Sequence, residues 1–189
     1  GLLVVGCGKK EQRANPKDKN GNATSVEATD KSPKAAKDIP NRSEAKAAID
    51  AAIRKAAGKP DGELSQKDLE KVTKLNLTGK EIIDIGPLAN LVNLEALDLE
   101  LNRITDLKPL AGLKKLVQLD ITRNQISDLT PLAGLKNLEM LDCAENKVID
   151  LSPLAGLTNL WVIHLGDNEI KDISPLSEIT GLKVLYLLN

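Results

Sequence analysis

Residues 91–112 read LVNLEALDLELNRITDLKPLAG, and the same 22-residue phrase returns as LKKLVQLDITRNQISDLTPLAG from 113, LKNLEMLDCAENKVIDLSPLAG from 135 and LTNLWVIHLGDNEIKDISPLSE from 157. A looser copy, LEKVTKLNLTGKEIIDIGPLAN, starts at 69, and a sixth opens ITGLKVLYLLN and reaches Asn189. Self-similarity at a fixed period of this length means one supersecondary unit stacked on itself, so that a continuous core is buried only between neighbours. The chain is therefore organised as a solenoid over residues 69–189, and the rest is read around it.

Within each unit the L-x-x-L-x-L-x-x-N pattern assigns the jobs. Leu94, Leu97 and Leu99 point inward, as do Leu116, Leu119, Ile121, Leu138, Leu141, Cys143, Leu160, Ile163 and Leu165. Outward residues alternate with them along a short strand. Asn102, Asn124, Asn146 and Asn168 recur at the bend after it, where an amide bonds turn backbone that would otherwise be buried unpaired. Lys80, preceded by Gly79, stands where that column would begin. Ile104, Ile126, Val148 and Ile170 close the core behind the bend. Asp84, Asp106, Asp128, Asp150 and Asp172 come just before Pro87, Pro109, Pro131, Pro153 and Pro175. Asp as acceptor at the start of a helical turn and Pro at its first position suit a short helix there. Such an acid column invites calcium, but each carboxylate has its own backbone to cap, and no metal or other cofactor is expected.

Composition agrees with stacked aliphatic layers, since the chain has no Phe, one Trp and one Tyr. A formal net charge of -1 speaks against a nucleic-acid partner, which calls for a concentrated basic face. Residues 8–39 carry eight Lys or Arg against five acids, whereas residues 69–189 carry twelve basic against seventeen acidic residues. Residues 8–39 are polar and nearly free of aliphatics. Such a segment cannot offset its ordering entropy and is expected to be a disordered tether.

Residues 40–68 change character again. Ile49, Ala52, Ile53 and Ala56 recur at helical spacing, with Asn41 or Ser43 as cap and Gly58 and Pro60 as stop. Ser65 and Asp68 have capping-box spacing ahead of Leu69 and Val72. Solenoids expose the core of a terminal layer unless something covers it, and this helical segment is placed to do so.

The repeat, with N-x-I-x-D-x-x-P-L at its centre, resembles the internalin and protein-phosphatase-regulator type of leucine-rich repeat over residues 69–189, or 40–189 with the cap. That resemblance implies a leucine-rich repeat solenoid of the α/β class, with parallel strands on a concave face, 3-10 turns on the convex face and an α-helical N-terminal cap. It implies protein binding by the concave face and brings no catalytic residues. At the other end, Leu2, Leu3, Val4 and Val5 read as the close of an apolar signal region, too short to span a bilayer. Val4, Val5, Gly6 and Cys7 resemble the lipobox of bacterial lipoproteins. In that family a peptidase cuts before the cysteine, whose thiol carries a diacylglycerol, and each buried methylene adds roughly 0.8 kcal/mol of anchoring. Residues 1–7 then form a signal-peptide remnant ending in the lipidated Cys7, and the protein belongs at the bacterial envelope, on the outer membrane or cell surface.

Outward strand positions are those the fold dictates least. One column runs Asp98, Asp120, Asp142, His164, Tyr186, acidic at first and aromatic at its end. Trp161 and Val162 precede His164 on their strand, Gly166 follows it, and Met140 precedes Asp142. Aromatic anchors beside charge are what protein hot spots use, so Asp98, Asp120, Met140, Asp142, Trp161, His164 and Tyr186 are the candidate contacts of a protein partner to a monomer. Two other readings stand beside this: an envelope protein that assembles with its own copies, and an intracellular scaffold of the phosphatase-regulator sort. A Cys143, His164, Asp142 triad is excluded by alternation, which points Cys143 into the core and the other two outward. No phosphate loop or zinc spacing accompanies it.

Overall fold

A computed structural model of the chain describes residues 3–5 and 42–187. Six three-residue strands follow one another at the repeat period: β2 (Lys74–Asn76), β3 (Ala96–Asp98), β4 (Gln118–Asp120), β5 (Met140–Asp142), β6 (Val162–His164) and β7 (Val184–Tyr186). They stack in parallel, each residue facing its equivalent 22 positions on. A further strand, β1 (Leu3–Val5), pairs in parallel with the free side of β7, Val5 opposite Tyr186. The sheet order is therefore β1-β7-β6-β5-β4-β3-β2.

Each coil returns along the convex side through a 3-10 helix: η1 (Gly86–Asn90), η2 (Lys108–Leu110), η3 (Thr130–Leu132), η4 (Ser152–Leu154) and η5 (Ser174–Glu178). The Asp column starts these turns from one residue further out than expected. Asp84, Asp106, Asp128, Asp150 and Asp172 each accept the N–H two residues on, all at 2.8 Å. That N–H belongs to the first helical residue, so the Asp precedes the N-cap, and the proline falls at the second helical position instead of the first. Seven aliphatic side chains fill a middle coil: Leu113, Leu116, Leu119, Ile121, Ile126, Leu129 and Leu132 are all 2% exposed or less. Burial of such side chains is worth roughly 1.5–3 kcal/mol each.

Two asparagine ladders tie the coils together. In the one expected from the sequence, Asn124 Nδ2 donates to Leu99 O of the preceding coil at 2.9 Å and to Ile121 O and Thr122 O of its own, while its Oδ1 accepts from Ile104 N at 3.0 Å. Asn102, Asn146 and Asn168 repeat this arrangement. Lys80 has no amide to offer, yet its backbone N–H still reaches Asn102 Oδ1 at 3.1 Å. The second ladder lies ahead of the strands. Asn93, Asn137 and Asn159 donate to Glu70 O, Lys114 O and Lys136 O at 2.8–2.9 Å, and Lys115 takes the position between them by donating to Asn93 Oδ1.

At the N-terminal end α1 (Arg42–Ala57) lays Ile49, Ile53 and Ala57 on the first coil, buried to between 1% and 6% exposure. The stripe is thus i, i+4, i+8, with Ala52 at its margin. Ala56, expected in it, is exposed, because one residue of helix turns it about 100° from Ala57. Ser43 lies inside α1, and Asn41 lies outside the described residues. α2 (Gln66–Leu69) has the expected capping box: Ser65 Oγ accepts from Asp68 N, and the Asp68 carboxylate accepts from Ser65 N at 3.1 Å.

Two predictions follow from this architecture. Asn124→Ala leaves the buried Ile104 N without its acceptor and takes one donor each from Leu99 O, Ile121 O and Thr122 O, and is expected to lower the unfolding free energy by about 3 kcal/mol in urea titration, several times the effect of Asp128→Ala on the exposed convex side. Asp68 behaves differently with pH. The Ser65 hydroxyl, then Lys71, the Ser65 N–H and Lys59 hold its carboxyl well below the usual carboxylate range. A depressed folded value adds stability above the unfolded pKa near 3.8, and that stability is lost as pH falls through the folded value. Asp68→Asn is therefore expected to lower the melting temperature at pH 7 and to lose less stability than the native chain on acidification below pH 4.

Candidate functional site

The strand residues that alternate away from the core form the concave surface, and the register decides which of them meet. Asn76, Asp98, Asp120, Asp142, His164 and Tyr186 stand in one row across β2 to β7. Lys74, Ala96, Gln118, Met140, Val162 and Val184 form a second row two residues earlier. A groove of about 450 Å³ lies over both rows from Lys74 to Asp142.

In its first half the polar row is partly occupied by the scaffold. Asn76 Oδ1 accepts from Thr78 N, Asp98 Oδ1 from Glu100 N and Asp120 Oδ1 from Thr122 N, at 2.9–3.1 Å. Each side chain thus closes the end of its own strand. Asp98 is further held by Asn76 Nδ2 and Thr78 Oγ1, both at 2.7 Å. Asp142 breaks the series. Its buried Oδ1 is turned instead to His164 Nδ1, 2.5 Å away. Burial pushes the Asp142 carboxyl up; His164 pulls it back, and Asp120 across one strand spacing adds to the rise. Tyr186 meets the His164 ring edge to face, centroids 4.0 Å apart at 87°.

Trp161 and Met140 stand apart from this cluster. Trp161 lies ahead of β6, 37% exposed, its Nε1 3.4 Å from Glu139 Oε2 and its ring 6.0 Å from Lys183 Nζ. Met140 is half-buried in the apolar row, with Gln118 Nε2 3.7 Å from its sulfur. The candidate residues therefore divide into a strand-end cluster at Asp142, His164 and Tyr186 and a strand-start group at Trp161. Val162 and Gly166, expected to face outward, are buried; Val162 is 7% exposed in register between Met140 and Val184, where an aliphatic side chain is flanked on both sides. An ion-pair chain went unseen in the sequence: Arg123 Nε donates to Glu145 Oε1 at 2.7 Å, with Glu100 at 3.9 Å on its other side. Only its 22-residue spacing could have disclosed it.

Cys143 lies on the opposite face from this row, 0% exposed, its thiol pushed up to about 12 by burial and by Asp120 and Asp142. It cannot serve His164 as nucleophile. Among the described residues no three His, Cys, Asp or Glu side chains are grouped to hold a metal ion. Cys7 lies outside the described residues.

Coils of parallel strand, asparagine-locked bend and 3-10 return define a leucine-rich repeat solenoid, related in fold to those of bacterial internalins. Residues 92–134 and 136–178 match the family model described as Leucine Rich repeats (2 copies). Among solved structures the chain is similar to internalin C2 from Listeria monocytogenes, at 29% identity and a TM-score of 0.57 over 80% of this chain and 100% of that one. It is also similar to the internalin inlF of the same organism, at 30% identity and a TM-score of 0.50 over 74% of this chain and 55% of that one. No curated protein sequence matches it.

The placement of Cys143 gives a simple check. In a chain carrying Cys7→Ser, the native protein is expected to resist iodoacetamide at pH 8 and to take up one label per chain only in denaturant, read by intact mass.

Proposed function

We propose that the domain binds a protein through its concave face, with the partner centred on strands β5 to β7. The observation that supports this most directly is the change within the polar row: Asn76, Asp98 and Asp120 cap their strands, whereas Asp142, His164 and Tyr186 do not, and the last three are left half-buried on an open surface. Trp161 adds a large ring already steadied by Glu139 and Lys183, so little side-chain entropy is lost when a partner covers it. Asp98 and Asp120 pair with no Lys or Arg among the described residues, which suits a partner presenting amines or guanidinium groups beside an apolar anchor. Likeness to internalins supports a display scaffold of this kind, and adhesion or host-protein recognition is the role it would serve.

The lipid anchor belongs to the same proposal. Among the described residues no helix is long and apolar enough to cross a membrane, and Cys7 in its lipobox setting would attach the domain to the envelope by acyl chains. Cleavage before Cys7 would remove β1 from the sheet.

The test is a crosslinking pull-down from envelope and host-cell extracts with residues 40–189. One protein captured by the native face, and lost when Trp161, Met140 and Tyr186 are changed to polar residues, is the expected outcome. Trp161→Ala alone should weaken capture at least tenfold while shifting stability by less than about 1 kcal/mol. Equal capture by folded native and altered faces would sink the concave-face reading, and self-association of the purified chain would favour the envelope-assembly alternative.

A further inference from the structure

The concave row ends in a group of side chains that the scaffold does not use, among them the one histidine of the chain. Asp142 gives up the strand-capping bond made by Asn76, Asp98 and Asp120, and turns to His164. Its Oδ1 is buried against His164 Nδ1 at 2.5 Å, and a buried carboxylate is costly unless a charge or donor stands beside it. Imidazole supplies such a charge only when protonated, and histidine is the side chain that ordinarily gains its proton between about pH 5 and 8. On the other flank the ring packs against Tyr186, centroids 4.0 Å apart with the planes nearly perpendicular.

We propose that Asp142, His164 and Tyr186 form a proton-operated switch on the concave face. With His164 protonated, the imidazolium holds the Asp142 carboxylate; with His164 neutral, that carboxylate is released to a cationic group of the partner. The partner half of this rests on the protein-binding reading above, and the proton half stands on the cluster alone. The carboxylates on the His164 row are Asp142 on β5 and Asp120 behind it on β4, and the phenol of Tyr186 lies on β7. Past the end of β6, Asp167 is exposed at the bend, and Glu145 at the preceding bend is engaged by Arg123. The switch also accounts for the position of the only histidine in the chain, at the junction of the acidic and aromatic halves of the row.

With one His and one Tyr, the full chain reports on itself. Between pH 5 and 8 the Tyr186 ring resonances are expected to move in step with the His164 Cε1–H signal. In His164→Gln they should stay flat, and the Asp142 carboxyl carbon should titrate at higher pH than in the native chain, because the group that pulls it down is gone. Decalysine, as a cationic probe, is expected to bind native protein about threefold more tightly at pH 8 than at pH 5.5, the weight of one charge at about 6 Å across water. His164→Gln should abolish that difference. Tyr186 signals that ignore the His164 titration would overturn the switch, as would an unchanged pH difference in His164→Gln. Absence of decalysine binding at either pH, with the Tyr186 response intact, would overturn release to a cation. Failure of the Trp161 pull-down leaves all these signals in place, so the two readings fail separately.

Discussion

Everything in the solenoid depends on the asparagine at the bend. A coil of this kind turns its backbone sharply at the top of each strand, and the turn is made by a residue in the left-handed region: Leu101 at φ 58°, Arg123 at 56°, Glu145 at 53° and Asp167 at 52°. For an L-residue that conformation costs roughly 1–2 kcal/mol. The next residue offsets it. Its amide gathers carbonyls from two coils with Nδ2 and returns an acceptor to the preceding coil with Oδ1, so backbone groups that the sharp turn would leave buried and unpaired are satisfied together. The first coil tests this account, because Lys80 replaces the asparagine there. Its turn residue is Gly79, at φ 64°, which adopts the conformation at no steric cost. Glu81, two residues on, is left-handed as well at φ 55°, so the first coil turns by a different path from the others.

With the core held by inward leucines and the bends held by asparagine, the outward strand positions are left nearly unconstrained. Three-residue strands offer two such positions each, so the concave face is built from two rows running across the coils. The scaffold still claims part of the polar row, where Asp98 and Asp120 close their strands. That claim lapses at Asp142. The boundary between side chains the fold uses and side chains it leaves over runs between β4 and β5, and Asp142, His164, Tyr186 and Trp161 all lie on the unused side. Acidity alone would not mark this boundary, since Asp120 and Asp142 are the same residue type at equivalent positions. Their hydrogen bonds distinguish them.

What was legible in the sequence is what the repeat writes several times over. Leu97, Leu119 and Leu141, the asparagines and the Asp–Pro pairs occur in the same position of successive units, so one reading of their role is checked by the others. Features without that redundancy were hidden. The left-handed turn is filled by Leu, Arg, Glu and Asp and so has no sequence signature. The ladder of Asn93, Asn137 and Asn159 is interrupted by Lys115, which bonds in the same place with different chemistry. Val162 looks outward by alternation, yet it is buried, since exposure on a concave surface depends on the size of the neighbours in its row as well as on which way the strand faces. On the cap, one residue separates Ala56 from Ala57, and two alanines give a periodicity argument nothing to choose by.

The first and last described coils have different neighbours, and the difference bears on the anchor. At the first coil α1 covers the layer from the side of the core, with Ile49 and Ile53 almost fully buried. Beside β7 the described residues add a strand, β1, which pairs with its backbone. Ile173 is 49% exposed, against 1% for its equivalents Ile85, Leu107, Leu129 and Leu151. A three-residue edge strand exchanges hydrogen bonds with water at small net cost, on the order of 1 kcal/mol per bond. Removing β1 by cleavage ahead of Cys7 would therefore disturb the aliphatic layers little. The coils from Leu75 to Leu165 are packed by one another, and the residues of the concave cluster keep their partners on β5, β6 and β7. Lipidation at Cys7 and an intact binding face are physically compatible for that reason.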